Sequence, residues 1–241
     1  MYKLVGHRGF PAQYPENTLS SIRAAILAGA TAVEFDVQCS ADGTPYVFHD
    51  KDLNRLTGTA GPIYLHSDAQ LRELSAYYPE RFGDKFIGEP ICTLQDMMNL
   101  LLEYPDIEVF IEPKSHSIQH MGVATVMDRI LQVSACLGDR RRIISFHQGA
   151  LAYARQAGRT QACDNIVWVI DDFSANTQAI AQGLRPNTLC VDIALVPLAL
   201  PQWIDCQWMI YPMDDAAKLQ YYIDMGVEYI ETDDIKALLK R

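Results

Sequence analysis

The side chains best suited to chemistry gather near the start of the sequence. Glu34 and Asp36 alternate with Val33, Phe35 and Val37. That is the two-residue period of a strand, so both carboxylates leave one face and the apolar residues leave the other. Two like charges so close repel one another unless positive charge lies between them. Glu112 ends another apolar run, Val109-Phe110-Ile111. Three acids brought together from strand ends make an all-oxygen donor set, which suits a hard cation such as Mg²⁺, Ca²⁺ or Mn²⁺ rather than zinc. His7, in Gly6-His7-Arg8-Gly9, and His49, in Val47-Phe48-His49-Asp50, each close a strand-like run. Two imidazoles titrate near neutrality and can act as base and acid on opposite sides of a phosphorus centre. Arg8, between glycines, offers a guanidinium and open backbone to an anionic phosphate.

Other polar residues read more plainly. His116 and His120 have i,i+4 spacing but suit a solvated helix face. Ser145 ends a strand without a G-x-S-x-G elbow around it, so it reads as a ligand contact at most. Asp214-Asp215 and Asp233-Asp234 read as cap or turn acids near helix starts. The six cysteines are scattered without a C-x-x-C pair, as expected of reduced, buried thiols in a reducing compartment.

The elements that must position these residues alternate along the chain. Its 241 residues are 49% hydrophobic and 21% charged, which is globular composition, and a formal charge of −10 argues against a sequence-independent nucleic-acid binder. Strands are expected at 3–6, 32–38, 46–49, 108–112, 142–146, 166–170, 188–191, 207–211 and 228–231. Helices are expected after Thr18, ending at Gly29, and over 93–102, 117–137, 148–157, 174–182 and 214–225. Eight or nine strands alternating with helices, with no G-x-G-x-x-G and no P-loop, give one α/β domain over 1–241: a single TIM (β/α)₈ barrel whose strand C-termini converge on one mouth. Asp42-Gly43 signals a two-residue hairpin, which would set Asp36 opposite His49. The stretch from about 51 to 92 is too long for a connection and reads as a small insertion after the third strand. The start of the sequence has no apolar signal core, and no stretch is long enough to span a bilayer, so a cytoplasmic protein without stable membrane insertion is expected.

As a set, these residues resemble the glycerophosphodiester phosphodiesterase family, within the phosphatidylinositol-phospholipase-C-like barrels. The resemblance runs through Gly6-His7-Arg8-Gly9, Pro15-Glu16-Asn17-Thr18, Val33-Glu34-Phe35-Asp36-Val37, Asp42-Gly43 and Val47-Phe48-His49-Asp50. It continues through Asp52-Leu53-Asn54-Arg55-Leu56-Thr57-Gly58, Glu112 with Lys114, Ser145-Phe146 and Thr232-Asp233. It implies one divalent cation, Mg²⁺, Ca²⁺ or Mn²⁺, on Glu34, Asp36 and Glu112, and His7 and His49 as the acid–base pair. Arg8 and Lys114 would contact phosphate, with Glu16 and Tyr211 lining the substrate pocket. Tyr211-Pro212 stands where the family commonly has Trp-Thr, and Pro113 separates Glu112 from Lys114 where an aliphatic residue is common. The expected reaction is metal-dependent hydrolysis of a small glycerophosphodiester to sn-glycerol 3-phosphate and an alcohol, by a monomer or homodimer. The alternatives are lysophospholipase-D-like activity on lysophospholipids and a non-catalytic phosphodiester-binding protein.

Overall fold

The computed structural model describes residues 2–156 and 161–239. Among these described residues nine strands run in chain order: β1 (Lys3–Gly6), β2 (Ala32–Cys39), β3 (Pro45–Val47), β4 (Glu108–Pro113), β5 (Arg141–Ser145), β6 (Ile166–Ile170), β7 (Thr188–Asp192), β8 (Gln207–Tyr211) and β9 (Tyr229–Thr232). Eight of them are parallel and close on themselves, because β1 pairs with both β9 and β2. β3 lies antiparallel on β2, outside the ring. The expected (β/α)₈ barrel is therefore present. Strands in such a ring are buried on both faces, and the all-apolar run Ile166–Ile170 is buried throughout.

Alternation along the strands divides two cores. Leu4, Val33, Phe35, Ile111 and Ile143 face outward and pack in the layer that includes helix residues Ile22, Ala25 and Met97. Val5, Ala32, Phe110, Ile144, Val167, Val169, Cys190, Met209 and Tyr229 pack together as the inner plug. Stepping two residues onward from an inner position reaches the mouth on the same face: Val5 leads to His7, Phe110 to Glu112, Met209 to Tyr211, and Tyr229 to Glu231. From Ala32, the same step passes through Glu34 to Asp36.

Several element boundaries depart from expectation for physical reasons. The β2–β3 pairing sets Val37 opposite Val47, one residue away from the register a two-residue turn would give. Ser40 and Thr44 bracket a three-residue connection, with Gly43 in the left-handed region at φ 81°. Asp36 therefore accepts from the backbone of Phe48, and His49 lies beyond the strand. The helix expected over 117–137 is two, Ser115–Met121 and Val123–Val133, divided at Gly122. The 214–225 helix shrinks to Leu219–Asp224, and the 148–157 helix to Gln148–Ala154, its expected last residue lying outside those described. The insertion folds short helices over its own cluster, in which Phe48, Leu53, Leu56, Ile63 and Leu71 are buried.

Helix α1 (Leu19–Ala28) locks the first strand's end in place. Thr18 caps it by accepting from Ser21, and Gly29 closes it at φ 110°. Ser21 Oγ donates to the Arg8 carbonyl and accepts from the Phe10 amide. Gly9, at φ 92°, lies so close that a Cβ there would stand 2.5 Å from Ser21 Oγ and 2.6 Å from the Ser21 carbonyl carbon. Gly9→Ala should accordingly destabilise the fold by more than about 2 kcal/mol, adding left-handed strain to overpacking against backbone. Ser21→Ala should cost only about 1 kcal/mol. Urea unfolding midpoints of the two variants check the order.

Candidate active site

A cavity of about 210 Å³ opens at the C-terminal mouth of the barrel. One side is charged: His7, Arg8, Glu34, His49, Glu112, Lys114 and Glu231. The other is formed by Ile144, Phe146, Val169, Cys190 and Tyr211. The strands thus bring His7, His49, Arg8, Lys114, Tyr211, Glu34 and Glu112 to one space, and Asp36 joins Glu34 and Glu112. One carboxylate oxygen from each of these three acids lies within 4.8 Å of the others.

Such a cluster is electrostatically costly. Burial, followed by the charge of Asp36, pushes the Glu34 carboxyl well up, and the same two causes raise Glu112. Burial also opposes the Asp36 carboxylate, but Lys114 and Arg8 outweigh it and hold Asp36 far below the usual range. Lys114 Nζ stands 3.0 Å from Glu112 and 3.2 Å from Asp36, so Pro113 does not turn it away from the site. Asn17 gives its amide to Asp36 at 2.9 Å and accepts the Asp36 backbone N–H at 3.1 Å. Glu34 Oε2 takes the backbone N–H of Arg8, while Glu34 Oε1 is buried without a hydrogen-bond partner. The three all-oxygen donors and that orphaned oxygen fit a hard divalent cation.

Each histidine has a carboxylate behind it. His7 Nδ1 lies 2.7 Å from Asp233, and His49 Nδ1 lies 2.8 Å from Asp50. That arrangement leaves Nε2 of each ring for the cavity. His49 is held after β3 by Gln38, whose amide donates to the carbonyls of Phe48, His49 and Asp50. Asp50 is gripped by Arg55, Arg55 by Glu16, and Glu16 by Arg8 at 3.0 Å. Glu16, buried and bonded to two guanidiniums, does not line the cavity but sets the aim of Arg8.

The remaining candidates divide. His120 stacks on Tyr64 at 4.4 Å, away from the cavity. Ser145 is buried and accepts from the His147 amide. Asp214 is a turn acid that accepts from Thr232 and Asp233. Asp233 is more than a turn acid, because its carboxylate orients His7. Glu231 was not anticipated: it is buried beside His7, and burial with the Glu112 charge pushes it up to about 7 against the opposing pull of His7. Its signal was the alternation Tyr229-Glu231-Asp233, which puts all three on the inner face. All six cysteines are free, four of them buried.

A model of the glycerophosphoryl diester phosphodiesterase family matches residues 7–237. A glycerophosphodiester phosphodiesterase of Bacillus altitudinis is 30% identical over 154 residues, covering 63% of this chain and 61% of that protein. Glycerophosphodiester phosphodiesterase 1 of Mus musculus is 34% identical over 113 residues, covering 47% of this chain and 34% of that protein. The matches thus span about three fifths or less of these curated relatives. Among solved structures, an Oleispira antarctica phosphodiesterase in complex with the product sn-glycerol-3-phosphate superposes with a TM-score of 0.84 at 22% identity, over 98% of this chain and 94% of that one. A glycerophosphodiester phosphodiesterase from Thermotoga maritima superposes at 0.75 with 23% identity, over the whole of this chain and 98% of that one. These likenesses show the barrel fold.

Burial works against the His7 imidazolium, yet Glu231 and Asp233 outweigh it and raise His7 above its ordinary 6.5. A raised histidine contributes stability that is full below the unfolded value and disappears as pH rises through the folded one. Asp233→Asn should therefore lower the His7 midpoint measured by NMR titration of its ring protons. With Glu231 still in place, it should also reduce, without abolishing, the stability gained as pH falls through the folded His7 value.

Proposed function

The chain belongs to the glycerophosphoryl diester phosphodiesterase family, and from that membership we propose that it hydrolyses glycerophosphodiesters to sn-glycerol 3-phosphate and an alcohol such as choline or ethanolamine. The observation that carries this reading is the meeting, in one cavity, of a three-carboxylate cluster with two imidazoles, each backed by its own acid. A phosphodiester-binding protein has no need of such a pair. The product bound to the Oleispira antarctica phosphodiesterase supports the same chemistry.

Glu34, Asp36 and Glu112 would hold one divalent cation, Mg²⁺, Ca²⁺ or Mn²⁺. A cation there would supply Lewis acidity to the phosphoryl centre. Arg8 and Lys114 face the same space and would offset charge gathering on the phosphoryl oxygens, where such reactions gain most of their stabilisation. One imidazole takes the proton of the attacking glycerol hydroxyl as that oxygen bonds to phosphorus. The other gives its proton to the departing alkoxide as the old P–O bond breaks. Water then opens the resulting cyclic phosphate with the two roles exchanged. Asp50 and Asp233 hold the rings with Nε2 forward and stabilise each imidazolium as it forms. Tyr211 closes the less polar wall against the remainder of the substrate. The free thiols suit a reducing cytoplasm, where the protein would act as a monomer or a homodimer.

A second reading has an observation of its own. The segment after β7 leaves Leu195 and Leu198 exposed at the mouth end of the barrel, where Phe146 is also partly exposed. That apolar rim would suit the acyl chain of a lysophospholipid, although no helix among the described residues is long and apolar enough to cross a membrane.

A coupled assay for glycerol 3-phosphate release from glycerophosphocholine tests the first reading. Turnover should require added Mg²⁺, Ca²⁺ or Mn²⁺, stop with EDTA and be lost in Glu34→Ala. His7→Asn and His49→Asn should each lower kcat by about 10²–10⁴-fold. A diester with a p-nitrophenyl leaving group should rescue the variant lacking the acid and not the one lacking the base. Faster choline release from lysophosphatidylcholine would promote the second reading. Tight binding of folded protein without turnover under any metal would refute both.

A further inference from the structure

We propose that the cavity contains a second cation site, built from His7, Glu34 and Glu231, that selects a borderline transition-metal ion over the hard cations. One donor atom from each of these residues lies within 4.8 Å of the other two. Glu34 and Glu231 are 2% and 3% exposed, and each has an Oε1 that is buried without a hydrogen-bond partner. Both side chains line the cavity. A carboxylate oxygen that is both dry and unpaired is costly, and a shared cation removes that cost for two at once. The nearby cations are engaged elsewhere: Arg8 pairs with Glu16 and Asp36, and Lys114 with Asp36 and Glu112.

The third donor distinguishes this site from the Glu34–Asp36–Glu112 cluster. Asp233 occupies His7 Nδ1, so Nε2 is the ring nitrogen left for the cavity. A carboxylate behind an imidazole in this way is the usual support of a metal-bound histidine. Two oxygens and one imidazole nitrogen suit Co²⁺ or Zn²⁺, whereas Ca²⁺ prefers oxygen alone. The two clusters share Glu34 and differ in Asp36 and Glu112 against His7 and Glu231. An ion on His7 Nε2 would withdraw the nitrogen needed for proton transfer, so excess borderline metal would oppose turnover.

Calorimetric titration of the metal-free protein with Ca²⁺ and with Co²⁺ tests the proposal, with Co²⁺ absorption followed alongside. The wild type should take up more Co²⁺ than Ca²⁺. E231Q and H7N should each lose one Co²⁺ equivalent and no Ca²⁺, their retained Ca²⁺ binding showing that they fold. Thiolate charge-transfer absorption identifies any Co²⁺ captured by cysteine, which neither substitution should remove. Equal uptake of the two ions by the wild type, or an extra Co²⁺ that persists in both variants, overturns the second site. No Ca²⁺ uptake together with a Co²⁺ equivalent sensitive to E231Q overturns the three-carboxylate reading and leaves this one standing.

Discussion

Repulsion among carboxylates at the barrel mouth is the constraint on which the rest of the site depends. Glu34, Glu112 and Glu231 line one cavity, and the buried Asp36 carboxylate lies within 4.8 Å of Glu34 and Glu112. Two unit charges a few ångströms apart near a protein surface interact by about 4 kcal/mol, so several acids together could not remain ionised without matching positive charge. Lys114 bridges two of them, and Arg8 pairs with Asp36 from the other side. Arg8 is in turn held by Glu16, Glu16 by Arg55, and Arg55 by Asp50, which orients His49. The chain of opposite charges begins at the three-carboxylate cluster and ends at His49. The groups that would bind metal, hold phosphate and move protons are therefore one electrostatic unit.

The backbone bears strain to make that unit possible. Arg8 and Asn17 sit in the left-handed region at φ 52° and 60°, where residues other than glycine are uncommon. Asn17 donates its backbone N–H to the Arg8 carbonyl, and its side chain grips Asp36. The contact of Gly9 with Ser21 closes the same turn against helix α1. Strain of this kind persists where surrounding packing over-determines it. Here the inner plug, the outer helices and the Ser21 bonds all fix the segment that carries His7 and Arg8.

How much of this could be read in advance follows from the range of the interactions. The period of two through Val33–Val37 is local, so Glu34 and Asp36 could be placed on one face, and the alternation of strands and helices was enough for the barrel. The pairing of Asp36 with His49 failed because register depends on one extra loop residue at Gly43. His49 still reaches the cavity, because Gln38, an unremarkable residue in sequence, captures three successive carbonyls of its segment. Asp233 looked like a turn acid because its partner, His7, is at the far end of the chain and meets it only when β9 closes on β1. Arg55 has the same character, being defined by Glu16 and Asp50 together.

Glu231 shows what inward alternation adds once closure is known. The inner plug residue Tyr229 fixes the parity of β9, so Glu231 must enter the lumen and Asp233 must reach the mouth above it. The same count on β4 and β8 passes from Phe110 to Glu112 and from Met209 to Tyr211. On those strands an inner apolar residue supports a single site group, whereas β9 supports two, and both bear on His7. His7 is consequently the point where two acids, one in β9 and one just after it, meet the three-carboxylate cluster through Glu34. Because those groups share a single imidazole, the effect of changing any one of them depends on the others, and single substitutions here cannot be summed.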